Sequence, residues 1–438
     1  MFMFTAFVSL QGLQSTLNPG QGVGVASLSC VYAATLVSCF LAPAIISRLT
    51  TKGTIVASYA VFLVYAVANV YPMLSTMVAS SVLLGLSTGP LWSAQSTYLT
   101  TLAIHYARTS RQLHESTINH FNGIFSGILQ TSQVWGNLVS AGILSASNHT
   151  LHLSHNINAS TTRYVCGAHE CSPTGHFNDD EDLPHFLGPI PLMMRVYLLA
   201  FHAGCALLAI GCTVLLLDRN PSKDDSTTTV SLSSQQLFFA SLQILRDTRI
   251  QMLLPIVAFT GLEQGFVMGD FTKSYVNCAL GIHKIGHVLV CYGAVNAMSS
   301  MCIGVIAKHI KRLPILVAGT LFNVGQLLVL LWWRPDQEDV PMFYVIASCI
   351  GLCDAIWQTQ SNTLFGVLFP EQQEAAFACY RMFQALGLSV AYGYSHYLCV
   401  STKVYIMGGV LSVGLVLYAA IEFRLHQLKK FGASIVLL

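Results

Sequence analysis

Apolar residues in this chain come in long runs broken by short polar stretches, not in the one-faced or alternating patterns of soluble elements. A helix that crosses a bilayer needs about 20 predominantly apolar residues. Twelve runs meet or approach that length: Met1–Leu17, Val25–Ser47, Thr54–Tyr71, Thr76–Leu99, Asn119–Ala146, Pro191–Leu217, Ile250–Tyr275, Ile285–Ala307, Pro314–Trp333, Met342–Leu368, Ala375–Cys399 and Thr402–Phe423. The first is short, because at about 1.5 Å per residue it reaches only some 25 Å. It reads as a truncated or half-formed span. No cleavable leader is visible, since the apolar N-terminus has no basic segment before it and no small-residue cleavage site after it.

The fourth and tenth runs share a pattern. Leu83–Leu99 reads LLGLSTGPLWSAQSTYL and Cys349–Phe365 reads CIGLCDAIWQTQSNTLF. Trp357, Gln360 and Ser361 repeat the spacing of Trp92, Gln95 and Ser96, and Gly351-Leu352 answers Gly85-Leu86 with one residue of slippage. Weaker echoes keep the same order. Phe4-Thr5-Ala6 with Gln11-Gly12 resembles Phe259-Thr260-Gly261 with Gln264-Gly265, and Val31-Tyr32-Ala33 resembles Cys291-Tyr292-Gly293. The partners lie about 255 to 265 residues apart. A shared order at a shared offset marks two similar halves in parallel orientation, the arrangement of the major facilitator superfamily. The expected fold is therefore all-α, with twelve transmembrane helices in two six-helix halves. The halves are 1–217 and 250–424. A cytoplasmic linker over 218–249 separates them, and a cytoplasmic tail follows over 425–438. Within the linker, Gln235–Leu245 is apolar but too short to span, and reads as an amphipathic helix on the membrane surface.

Composition agrees with this reading and narrows the function. Of 438 residues, 53% are hydrophobic and only 9% charged, against roughly 25% charged in soluble domains. Mean hydropathy is +0.59. A net charge of +2 gives nucleic acid nothing to bind, so the partners expected are the lipid bilayer and other membrane proteins. If the loops after the even-numbered runs share one side with both termini, that side carries 15 of the 21 Lys and Arg, Arg381 among them. The positive-inside rule then places both termini in the cytoplasm. The loop from Ser147 to Gly188 falls on the other side. It holds acceptor sequons at Asn148 and Asn158, and the cysteines Cys166 and Cys171, read as a local disulfide in an oxidising compartment. His149, His152 and His155 cluster there too. A solvated, glycosylated loop accounts for them, and no metal site is assigned.

Polar groups inside apolar runs are costly and mark either packing or function. Glu263 is the deepest carboxylate of the seventh run. It is open to two readings, a proton or cation site on a central cavity, or a structural hydrogen bond. Asp270 and Lys273, three apart, read as an interfacial pair on one helix face. Asp354 is a second buried carboxylate, one turn before Trp357. Gln130 and Gln133 read as hydrogen-bonding glue between helices. Trp92, Gln95, Trp357 and Gln360 are open to packing or to cavity lining. Both Trp-x-x-Gln-Ser faces are expected to point toward the interface between the halves and not toward lipid. Gly85 and Gly89 form a G-x-x-x-G that allows close helix contact, with Pro90 following. No P-loop, H-E-x-x-H or CxxC motif occurs, and Gly85-Leu-Ser-Thr-Gly89 lies inside an apolar run and not at a G-x-S-x-G elbow, so an enzyme reading has no support and no cofactor is implied.

Longer stretches carry a family resemblance. Gly85–Thr100, Leu10-Gln-Gly-Leu-Gln-Ser-Thr-Leu17, Gly24–Ser29, the Lys52-Gly-Thr54 turn, Phe121–Phe125 and Gln133–Leu138 resemble the uncoordinated-93 family, within it the A-type branch. In the second half, Gly351–Asn362 and Ala375–Phe383 do the same. The resemblance implies a multi-pass protein of the cell membrane with a major-facilitator-type fold. It would act as an accessory or regulatory partner of another membrane protein, in the founding member's case a two-pore potassium channel. The alternative is a secondary transporter of a small solute, proton- or cation-coupled through Glu263. The resemblance assigns no catalytic or ligand residue.

Overall fold

The computed structural model describes residues 1–17, 23–110, 114–151, 166–171, 192–217, 243, 245–306, 312–369 and 373–430. Helices form wherever an apolar run was read: α1 (Phe2–Leu17), α2 (Val23–Ala68), α3 (Leu74–Thr109), α4 (His114–Leu151), α5 (Leu192–Leu216), α6 (Thr248–Phe266), α7 (Ile282–Ile306), α8 (Arg312–Trp332), α9 (Val340–Leu368), α10 (Gln373–Ser395) and α11 (Val400–Lys430). The second and third runs share α2, which breaks at Thr50, where φ is 66°. Two residues on, the Lys52 ammonium donates to the carbonyls of Val214 (2.8 Å) and Leu217 (2.6 Å) and so caps the end of α5.

Among the described residues, nine segments are long and apolar enough to cross a membrane. The chain is a multi-pass membrane protein. Helices α1, α4 and α10 occupy the remaining predicted positions without meeting that standard. The first has 16 residues, and the other two carry polar side chains such as Gln130, Gln133, Arg381 and Gln384.

The helices pack as an earlier group, α1 to α5, and a later group, α6 to α11. Two long seams join them, α4 along α7 and α2 along α10, while α1 lies against the segment that follows α6. Bare glycines allow the closest approaches. A Cβ at Gly85 would strike the Val31 carbonyl of α2, and one at Gly261 of α6 would strike the Gln384 carbonyl of α10. The G-x-x-x-G reading holds. Thr35 and Ser38 of α2 both donate to the Gly85 carbonyl, at 3.3 and 3.0 Å.

Two sequence expectations are corrected. Cys166 and Cys171 do not bond to each other. Cys166 pairs with Cys278 and Cys171 with Cys399, across 112 and 228 residues. Residues 166–171 dock over one end of the later group, where the Val400 N–H donates to the Glu170 carbonyl (3.0 Å) and Lys273 faces the Glu170 carboxylate (3.6 Å). Each cysteine therefore meets a helix end brought in by the fold, which loop spacing alone does not reveal.

Nor do Asp270 and Lys273 pair. After Phe266 the chain continues as a π-helix over Val267–Asn277. Its i→i+5 hydrogen bonds widen the turn and rotate residues three apart off one face. Asp270 instead bonds Lys403 at the start of α11 (2.6 Å), with both side chains buried. The Ser395 hydroxyl donates to the same carboxylate oxygen (2.6 Å), and Lys403 donates to the Ser395 carbonyl (2.7 Å).

The sequon residue Asn148 lies in α4. Asn158, His152, His155, most of the predicted amphipathic helix and the end of the tail lie outside the described residues.

Candidate functional site

The later group of helices holds two buried carboxylates in hydrogen-bonded cages. Glu263, on α6, is 3% exposed. Its Oε1 accepts from Asn323 Nδ2 at 2.7 Å and Gln326 Nε2 at 3.3 Å, both on α8. Asn323 and Gln326 are three residues apart, so one helix face presents both amides. The Glu263 side chain thus points to α8, within its own group.

Asp354, on α9, is equally buried. Its Oδ2 accepts from the Tyr292 hydroxyl (2.8 Å) and Asn296 Nδ2 (2.6 Å) of α7, and its Oδ1 accepts from Gln358 Nε2 (2.9 Å). Three donors satisfy a carboxylate that apolar surroundings would otherwise penalise. The network continues across the seam, since Gln130 Nε2 of α4 donates to Asn296 Oδ1 (3.4 Å) and Gln133 Nε2 donates to Gln130 Oε1 (3.3 Å). Gln130 thus links α4 to α7, while Gln133 bonds it within α4.

The repeated Trp-x-x-Gln-Ser stretches diverge. Trp92 is half-buried, packs on Phe4 (5.0 Å between centroids) and lies 4.5 Å below the Arg381 guanidinium of α10. It therefore reaches across the groups. Gln95 turns the other way and donates to the Tyr59 hydroxyl of α2 (3.2 Å). Trp357 is fully buried and sets its ring edge-on to Phe259 of α6 (6.5 Å), inside the later group. Gln360 is 4% exposed. The ring contacts of the two copies differ, running across the groups for Trp92 and within the later group for Trp357.

Sequence reasoning missed Asn323, Gln326 and Asn296, amides lodged singly in apolar runs. It also placed Arg381 with the loop charges. The Tyr392 hydroxyl accepts from Gln11 Nε2 (2.9 Å) and its ring stacks on Tyr32 (5.8 Å), a further link between the groups. Among the described residues, no group of three or more His, Cys, Asp or Glu could hold a metal ion.

Two helical groups joined along α4–α7 and α2–α10 define a membrane protein of the major facilitator fold. The nucleoside transporter NupG superposes with a TM-score of 0.61 at 10% identity, covering 95% of this chain and 96% of that chain. A bacterial homologue of the human drug peptide transporters PepT1 and PepT2 superposes at 0.62 and 9%, covering 97% and 96%. Identities this low speak to fold alone. The sequence is more specific. Residues 19–419 match the family model described as "Ion channel regulatory protein UNC-93", and the chain belongs to the UNC-93 family. It is 39% identical to "Protein unc-93 homolog A" of Xenopus laevis over 99% of this chain and 93% of that one, and 36% identical to the Homo sapiens protein of the same name over 96% and 91%. It is 28% identical to "Putative potassium channel regulatory protein unc-93" of Caenorhabditis elegans over 98% of this chain and 60% of that one.

Proposed function

We propose that this chain is an accessory subunit that binds a potassium channel within the cell membrane and regulates it. The observation that carries the reading is the family match over residues 19–419. The geometry supports it. Asp270 is consumed by Lys403, and Asp354 is consumed by Tyr292, Asn296 and Gln358. These two intramembrane carboxylates hold helices to helices. Large apolar side chains such as Leu215, Leu321 and Val416 face outward, where lipid or a neighbouring membrane protein covers them.

In this reading the chain has twelve spans in halves 1–217 and 250–424, both termini in the cytoplasm, and glycans on Asn148 and Asn158. The charge asymmetry supports that orientation. The two disulfides support it as well, because such bonds persist in oxidising compartments. Co-expression with a two-pore potassium channel tests the function. The chain is expected to co-purify with the channel in detergent and to alter its current.

A further inference from the structure

The Glu263 cage is unbalanced in a way the Asp354 cage is not. Asn323 and Gln326 both spend their NH2 groups on the one oxygen Oε1. This is the only amide orientation that offers the carboxylate a donor, since the flipped one would set oxygen against oxygen. Three acceptors remain: Glu263 Oε2, Asn323 Oδ1 and Gln326 Oε1. Each is buried and has no hydrogen-bond partner. The three side chains are 3%, 0% and 7% exposed, so bulk water does not reach them.

Among the described residues, no protein cation pairs with them. The ion pairs among the described residues are Arg249–Asp247, Lys273–Glu170 and Lys403–Asp270. The ionisable groups that interact with Glu263 are Asp354 and Cys353 on α9 and Tyr292 on α7. Asp354 is already satisfied, and the Cys353 thiol reaches the Gly319 carbonyl of α8 (3.9 Å). A buried carboxyl group in proteins is paired, coordinates a metal or is neutralised by a proton. An all-oxygen set of one carboxylate and two amides is hard and suits s-block cations. One carboxylate is neutralised by a single positive charge, whereas a divalent ion would leave a buried excess.

We propose that Glu263 Oε2, Asn323 Oδ1 and Gln326 Oε1 form a binding site for a monovalent alkali cation between α6 and α8. The site does not rest on the channel reading and needs no partner or transported solute, so either can fail without the other.

The test uses the purified full chain in detergent. Its thermal unfolding midpoint is measured in sodium, potassium, lithium and choline chloride at equal ionic strength, and retention of radioactive sodium or rubidium is measured on the same sample. The expected result is a saturable rise of the midpoint in one alkali salt over choline, with matching tracer retention. Both are lost in Glu263→Gln and in Gln326→Leu. The three alkali arms distinguish which ion the site takes. If Glu263→Gln does not fold, Gln326→Leu and tracer retention by the unmodified chain still decide. Equal midpoints in all four salts with no tracer retained would overturn the site. So would a Glu263→Gln variant that keeps the full alkali response.

Discussion

The Arg381 guanidinium lies 4.5 Å above the Trp92 ring and joins α10 of the later group to α3 of the earlier one. It also sits 5.5 Å from the Tyr380 ring and donates to Gln384 Oε1 at 2.9 Å. A desolvated cation–π contact contributes about 1–2 kcal/mol. Trp92→Leu and Arg381→Met should each lower the thermal midpoint in detergent, and the double variant should lose less than the sum of the two. Additive losses would show that the two side chains do not interact.

The buried Asp270–Lys403 pair predicts an asymmetry between single and double substitution. Asp270→Asn or Lys403→Met alone strands one charge and should cost about 3–5 kcal/mol, whereas replacing both by apolar residues should recover most of that loss. Folded yield after gel filtration and unfolding midpoints for the three variants check this.

The disulfides predict two linked peptide pairs in a non-reducing digest, one joining Cys166 to Cys278 and one joining Cys171 to Cys399. Mass spectrometry reads them directly. A Cys166–Cys171 link would contradict the docking of residues 166–171 on the later group. Cys278→Ser should leave Cys166 open to thiol labelling under denaturing conditions, with the Cys171–Cys399 link intact.

Gly85 and Gly142 should respond in opposite ways to added bulk. A Cβ at Gly85 runs into the Val31 carbonyl, while one at Gly142 meets nothing within 4 Å. Gly85→Leu should cost at least about 3 kcal/mol by forcing α2 from α3. Gly142→Ala should be neutral or stabilise by about 0.5 kcal/mol, because alanine loses less backbone freedom in a helix. Expression level and unfolding midpoint separate the two.

The helices were legible because a bilayer imposes its thickness on every run, so length and polarity alone locate Val25–Ser47 or Thr402–Phe423. The repeated spacing was legible because Trp92 and Trp357 stand at one distance from their glutamines. The pairings between helices were not. Cys166 meets Cys278 only once the later group has folded, and nothing near either residue announces the other. The π-winding of Val267–Asn277 has no local marker, so Asp270 and Lys273 looked like neighbours under α-helical geometry. Glu263 stood out as a charge in an apolar run, yet its partners Asn323 and Gln326 are ordinary amides, and only the packing of α8 on α6 gives them meaning. Arg381 was counted with the loop cations because charge asymmetry sorts residues by side of the membrane and does not sense depth.

The measurement that bears most directly on the regulatory reading is a current recording. A two-pore potassium channel is expressed with and without this chain, at matched channel levels in the cell membrane. The account predicts that the chain co-purifies with the channel and changes the potassium current per channel. Unchanged current with no co-purification, for a chain that is itself folded and present in the membrane, would contradict it.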